Sequence, residues 1–404
     1  MNQKDRKDLN SIMDAYDVKS HMPEVYEKIN DLLSGRELTL PEKAKEAAPV
    51  AEDKQPTKPK EPKAAAEAEQ KEEPPVQEPQ VQTPQVIPTP KLKPIKTDPK
   101  KAQGVGLVLD GGGGKGAYQL GVLKALTEQE LLTDVTMISG TSIGAVNAML
   151  YAMEDIDLMY RAWEDINMLM LFDIDGTSFT SSGLHCSRED MLSMIEKHID
   201  FDKLKKSKYD IYNTIARLVS LPDNFEAEYR RLNDYDKETI KKIVLASTSL
   251  PVIYAPVEID GCSYKDGGIC DNSPVQPLYD AGVRQFIVIG LQHGKVLNTS
   301  KWPDAQFISI YPSHDLGDLF EGTLNFDKRS IEFREMLGYK DGLRAVKTKF
   351  MPDQMYINLE PMLAQNDYNE IRMQLHVNKT YDNLNSHVNS NIDKFNEIAK
   401  KYDL

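Results

Sequence analysis

The stretch "DVTMISGTSIGAVNAMLYAM", residues 134–153, decides how the rest of the chain is read. Asp134 to Ser139 is a mostly apolar run with β-branched side chains, the composition of a strand, and Ala145 to Met153 reads as a helix. Between them, Gly140-Thr141-Ser142-Ile143-Gly144 has the form G-x-S-x-G. The spacing has a steric reason. A serine on a sharp strand-to-helix turn adopts a strained backbone, and the residues two before and two after it come too close to carry side chains. Such a turn lifts the hydroxyl out of the sheet, toward whatever approaches the carboxyl ends of the strands. Ser142 is therefore a candidate nucleophile, with turn filler as the plainer alternative.

Upstream, "GVGLVLD" (104–110) is a short buried strand, followed at once by "GGGGKGAYQLGVLKALTEQELL" (111–132). Leu120, Leu123, Leu126 and Leu131 support a helix there. The opening is thus strand–loop–helix–strand–loop–helix, the pattern of a parallel sheet with right-handed crossovers. Gly111, Gly113 and Gly116 satisfy G-x-G-x-x-G, which raises a dinucleotide site. That site wants an acidic residue at the end of the second strand, whereas Asp134 stands at its start. A P-loop fits worse, because Lys115 is followed by Gly116 rather than Ser or Thr. A third use remains. Consecutive glycines at a helix N-terminus can aim several backbone N–H groups at one carbonyl oxygen, forming an oxyanion hole in which one donor is worth on the order of 3 kcal/mol. The plainer alternative is a loop kept for close helix–strand packing.

A serine hydroxyl needs a base. Seven histidines are present, none in a recognisable motif. His293 in "GLQHGK" is the best-placed triad candidate, His314 comes next, and His376 sits in a helical stretch that suits surface or packing. The other candidate is Asp266 in "YKDGGICDN", a carboxylate on a tight backbone where Gly267 and Gly268 leave room for a substrate. Asp-Gly is also ordinary turn chemistry.

Taken together, "DGGGGKG" at 110–116, "GTSIG" at 140–144 and "DGG" at 266–268 resemble, in that order, the motifs of the patatin-like phospholipase family. The run "LASTSLPVIYAPVEIDGCSYKDGG" is similar to that family's approach to its aspartate. The resemblance spans roughly Gly104 to Pro312. It implies a three-layer α/β/α fold with a mainly parallel sheet and a Ser–Asp dyad that needs no histidine. Ser142 would be the nucleophile, Asp266 the proton acceptor, and the glycine run Gly111, Gly112, Gly113 and Gly114 the oxyanion loop, with the amides of 112–114 as donors. Gly116, Gly140, Gly144, Gly267 and Gly268 would support those motifs. Lys115 departs from the arginine common in the family, keeping the charge but losing a planar fork of donors. No metal or other cofactor is implied. The function implied is hydrolysis of fatty-acyl esters of phospholipids or related lipids. A thioesterase or transacylase on the same dyad is the first alternative. The second is a tethered, non-catalytic interaction module, against which the intact serine, aspartate and glycine loop argue. The segment "AWEDINMLMLFDI" (162–174) offers flexible methionines suited to an acyl-chain surface, and suits ordinary core equally well.

The remaining sequence sets the surroundings. A net charge of −14 supplies no basic excess for a phosphate backbone, so nucleic acid is not expected as a partner. Three scattered cysteines, Cys186, Cys262 and Cys270, give no disulfide framework and suit a reducing compartment. The N-terminus has no apolar signal region, and no run of about 18 apolar residues occurs. A cytoplasmic protein making peripheral contact with a lipid surface is expected. Thirteen of the 23 prolines lie between 41 and 101, in a segment without glycine or aromatic residues. Such a segment cannot bury enough apolar surface to order itself. Ahead of it, Leu9, Ile12, Met13 and Tyr16, then Val25, Ile29, Leu32 and Leu33 before Gly35, keep helical spacing. The expected organisation is a short helical segment at 1–35, able to bind a protein partner or self-associate. A disordered Pro/Glu/Lys-rich linker follows at 36–103, then a hydrolase core at 104–312 and a mostly helical extension at 313–404. Within the core, "KETIKKIVLAST" predicts a helix, "APVEIDGCSYKDGGI" a hairpin turning at Asp260-Gly261, and "RQFIVIGL" and "AQFISIYP" two apolar strands.

Overall fold

The computed structural model describes residues 95–402 except 96, 167–178, 181–182, 185–187, 221–222 and 251–253. The N-terminal amphipathic pieces, the proline-rich spacer up to 94, residues 167–174 of the methionine-rich segment and Cys186 lie outside the described residues. The described residues include structure ahead of Gly104. Asp98 caps a helical turn over Pro99–Ala102, the Lys101 ammonium pairs with Asp210, and the Thr136 hydroxyl donates to the Lys101 carbonyl. Those contacts come from residues distant in the sequence.

The core is an eight-stranded mixed sheet. Its strands are β1 (Val105–Leu109), β2 (Val135–Thr141), β3 (Asp210–Ser220), β4 (Asn224–Arg231), β5 (Val257–Ile259), β6 (Cys262–Asp266), β7 (Gln285–Ile289) and β8 (Gln306–Ile310). The order is β8-β7-β1-β2-β3-β6-β5, with β4 also paired to β3. The run from β8 to β3 is parallel, as the strand–helix alternation predicts, while β4, β5 and β6 join it antiparallel. Strand side chains alternate between two apolar clusters, one on each face. Leu107, Leu109, Ile138, Ile287 and Ile289 face one way, and Val108, Met137, Phe286 and Val288 the other. Both faces are covered, giving three layers. On the first face pack α1 (Ala117–Glu128), α2 (Ile143–Tyr151) and α3 (Ile156–Asp165). The second is covered by Val275, Leu278 and Trp302 around the short helix Gln276–Asp280. The predicted hairpin is present: β5 and β6 are joined by Asp260 and Gly261, both at positive φ (52° and 76°), the two-residue turn that matches strand twist.

The register of β3 positions the site. Its first residues pair with β2, ending at Thr141 opposite Thr214. The next residue, Ile215, pairs instead with Asp266, the last residue of β6. Because β4 lines the other edge of β3 from Tyr212 to Ser220, β2 and β6 must share one edge and meet end to end. A buried Glu228–Arg230 pair bonded to Tyr264 clamps β4 to β6.

Beyond the sheet, α4 (Lys328–Ala345) lies on α1, and α5 (Gln354–Tyr402) follows. The α1–α4 contact runs backbone to backbone. A Cβ on Gly338 would collide with the Tyr118 carbonyl, and one on Gly121 with the Glu335 carbonyl. Gly338→Val should therefore lower the unfolding free energy by about 1–3 kcal/mol, the usual scale of overpacking, and with it the urea midpoint. Urea titration would show it, and a midpoint equal to wild type would contradict this packing.

Candidate active site

Ser142 sits between β2 and α2 with φ 55° and ψ −124°, a conformation a side-chain-bearing residue rarely adopts. The glycines on either side explain how the turn closes. A Cβ on Gly140 would collide with the Gly144 carbonyl, and one on Gly144 with the Leu109 carbonyl. The strained peptide is held in place: the Ser142 N–H donates to Ser247 Oγ at 3.0 Å, and that hydroxyl donates to the Thr214 carbonyl at 2.7 Å. Ser247 comes from the predicted helix, Lys237–Ser247, whose apolar residues Ile240, Ile243 and Val244 are buried.

Asp266 ends β6 and is 3 % exposed. Its Oδ1 accepts the Gly268 N–H at 2.8 Å. Gly267 is obligatory because a Cβ there would strike the Thr214 carbonyl. Among the described residues, Oδ2 has no partner at ordinary bonding distance. Burial pushes the Asp266 carboxyl up to about 7, against smaller opposing pulls from the Gly268 amide and the nearby Ser142 hydroxyl. One oxygen is thus anchored and the other left available beside the serine, on a carboxyl that changes charge near neutral pH.

The glycine loop closes the third side. Gly113 has φ 55°, and the turn Gly113–Gly116 leads into α1. The first amides of a helical turn have no partner within it, and Gly112, Gly113 and Gly114 occupy those positions. Gly111 differs: its N–H donates to the Asn272 carbonyl at 3.3 Å, and Asn272 Nδ2 returns a bond to the Gly111 carbonyl at 3.1 Å. Gly111 therefore anchors the loop. A Cβ on Gly111 would lie 3.1 Å from Ser142 Cβ, so the loop and the elbow are in contact. Gly116 packs on Ile143 and Trp163. The Lys115 side chain runs beneath Gly322, and burial lowers its pKa against the attraction of Asp315 and Asp318.

Two sets of residues that support this site went unread in the sequence. Gln119 donates to the Asp110 and Ile289 carbonyls, Asn147 donates to Gln119 and the Gly116 carbonyl, and Trp163 donates to Asn147. This buried chain ties glycine loop, elbow helix and α3 together. Its signal was a single amide among the buried apolar residues of each of two helices. The segment after Asp266 does the same from the other side, where Thr141 donates to the Asp271 carbonyl and Ser139 to that of Pro274. The three histidines considered as bases have partners or surroundings of their own. His293 Nδ1 pairs with the Pro312 carbonyl, His314 stacks on Tyr368 at 4.1 Å, and His376 is exposed on α5. Among the described residues, no group of His, Cys, Asp or Glu is arranged to hold a metal ion.

The comparisons bear on this arrangement. A model of the family described as patatin-like phospholipase matches residues 107–279, which takes in the elbow, Asp266 and most of the glycine loop's supports. Residues 107–279 form a patatin-like phospholipase domain. Curated relatives of this domain include the lysophospholipase NTE1 of Cryptococcus neoformans, 30% identical over 241 residues. That match covers 58% of this chain but 13% of the relative, so the chain spans a small part of the fungal protein's length. An uncharacterized NTE family protein of Mycobacterium tuberculosis is 26% identical over 192 residues, covering 46% of this chain and 48% of its own. Among solved structures, VipD from Legionella pneumophila aligns with a TM-score of 0.41 at 16% identity, over 72% of this chain and 80% of that one. No helix among the described residues is long and apolar enough to cross a membrane.

Asp110, one residue before the glycine loop, is a second buried carboxyl pushed up to about 7 by burial. Its folded pKa stands above the unfolded value near 3.8, so folding favours the protonated form. That stability is present at low pH and is lost as pH rises from about 4 through 7. Asp110→Asn, which carries no charge, should gain stability over wild type above pH 7, with the gap closing toward pH 4. Denaturant midpoints across that range measure it, and a constant gap would contradict the burial argument.

Proposed function

We propose that this chain is a serine acyl hydrolase that cleaves fatty-acyl esters of phospholipids or related lipids. The observation carrying the proposal is the end-to-end meeting of β2 and β6 along β3, which sets Ser142 on a strained elbow beside a buried carboxylate with one open oxygen. In the first step Asp266 takes the Ser142 proton as the hydroxyl attacks the ester carbonyl. The carbonyl oxygen, now negative, is received by the Gly112–Gly114 amides, and the positive end of α1 assists. The bond to the alcohol or lysolipid breaks as that group takes the proton back. Water then attacks the acyl-serine by the same route and releases the fatty acid. Gly111, Lys115, Gly116, Gly140, Gly144, Gly267 and Gly268 hold the glycine loop, the elbow and the turn after Asp266 at the distances this needs.

The lipid substrate class is supported by the patatin-like domain and by the lysophospholipase named among the relatives. We extend the proposal to the chain's organisation: a segment at 1–35 that recruits a protein partner or a second copy, a linker at 36–103, the hydrolase core at 104–312 and the helical extension at 313–404. Peripheral contact with a lipid surface follows from the substrate.

Ser142→Ala and Asp266→Asn should each lower ester turnover by at least about 10³-fold while circular dichroism stays native. A fluorophosphonate probe should label Ser142 alone, and labelling of another serine would overturn the mechanism. With Asp266 as base, kcat/KM should rise with pH and level off above an apparent pKa near 7. A profile flat from pH 5 to 9 would count against that role.

A further inference from the structure

Behind the glycine loop lies a cavity of about 320 Å³ between α4, α5 and the loop 316–325. Its lining carries three guanidinium groups, Arg329, Arg334 and Arg372, against one carboxylate, Glu321. Among the described residues, none of the three arginines makes a salt bridge, in a chain whose net charge is −14. Arg334 is 2 % exposed, and its donors reach only carbonyls: Asn325 at 2.7 Å, Glu321 at 2.6 Å and Leu316 at 3.4 Å. Burial draws its pKa down to about 10, with the charge of Asp327 the one opposing influence. A buried cation normally has an anion beside it, since leaving it unpaired costs several kcal/mol. Arg372 is set against the Tyr368 ring at 5.8 Å, which fixes its approach, and Arg329 stands exposed on the first turn of α4.

We infer that this cavity is a binding site for a phosphate-bearing anion, held by Arg329 and Arg372 at the mouth and by the charge of Arg334 at the base. Planar guanidinium forks match phosphate oxygens in pairs, and three of them suit a dianion better than a single carboxylate. The site lies one layer from the chemistry. The loop that Arg334 grips from behind presses its front on the glycine loop: a Cβ on Gly113 would strike the Thr323 carbonyl, and one on Gly114 the Asn325 carbonyl. The Asn325 carbonyl serves both contacts. An anion that fixes Arg334 therefore stiffens the backing of the Gly112–Gly114 amides and raises ester turnover. The binding stands apart from the hydrolase reading, while its effect on turnover rests on it.

The test uses the full chain as wild type, Ser142→Ala and the double variant Arg329→Gln/Arg372→Gln, whose two positions lie outside the catalytic machinery. Isothermal titration with inorganic phosphate, against chloride at equal ionic strength, should give saturable binding to wild type and Ser142→Ala. The double variant should bind at least about tenfold more weakly, roughly the loss of one charge-assisted hydrogen bond. Phosphate should raise wild-type turnover of an uncharged soluble ester and leave the double variant at the phosphate-free rate the two share. No saturable binding, or equal binding by the double variant, overturns the site; binding that leaves turnover unchanged overturns the coupling. If the chain proves not to hydrolyse esters, the titration still reads the site. Co-sedimentation of Ser142→Ala with phosphatidic acid vesicles, but not with phosphatidylcholine vesicles, and dependent on the two arginines, assigns the phosphate to a lipid headgroup. Phosphate binding without such co-sedimentation assigns it to a soluble ligand.

Discussion

One edge of β3 serves two strands that arrive from opposite directions, and the site depends on that arrangement. A strand edge has a fixed repeat, so where β2 stops and β6 stops is settled to within a residue by backbone hydrogen bonds. Thr214 and Ile215 are the adjacent positions at which the change occurs. A hydroxyl and a carboxylate more than a hundred residues apart are thereby held together by main-chain geometry. A one-residue slip of β6 would turn Asp266 to the other face of the sheet. The Glu228–Arg230–Tyr264 cluster and the unbroken β4 pairing oppose such a slip.

Polar groups around this junction are buried at a cost that ordinary packing does not offset. The backbone of Ser142 is strained, Asp110 and Asp266 are buried carboxyls, and the donors of the buried Arg334 reach only carbonyls. Strain and perturbed acidity of this kind persist only where neighbours over-determine the position. Here the neighbours are Ser247 under the elbow, Asn272 on the glycine loop and the Gln119–Asn147–Trp163 chain between them. Ser247, Asn272, Gln119 and Asn147 each bond to a main-chain group of the elbow or the glycine loop, so these side chains act on the site through its backbone.

What could be read in advance followed from how local each feature is. The strand–glycine loop–helix opening, the elbow and the Asp260-Gly261 hairpin were legible because turn chemistry and apolar periodicity are written within a few residues. The β3–β4 ribbon was not. Its second strand, "NFEAEYRR", carries Glu226, Glu228, Arg230 and Arg231, and only partners from β3 and β6 make such a polar run extended and partly buried. The nearness of Ser142 to Asp266 could not be derived from spacing either; it came from motif resemblance, since the β3 register that produces it spans three separate segments. Asn272 and Ser247 looked like ordinary loop and helix-end residues, and their role appears only when the strands are in place.

The family match closes at residue 279, but the folded unit does not. β1, the strand that delivers the glycine loop, has β2 on one side and β7 on the other, and β7 begins at Gln285. A chain ended at the family boundary would leave the central strand with a bare row of amides and carbonyls, and α1 without the helix its glycines lie against. Such an edge recruits other chains. Shortening this protein to its recognisable portion would therefore yield a self-associating fragment, because the motif-bearing half borrows its closure from sequence that carries no motif at all.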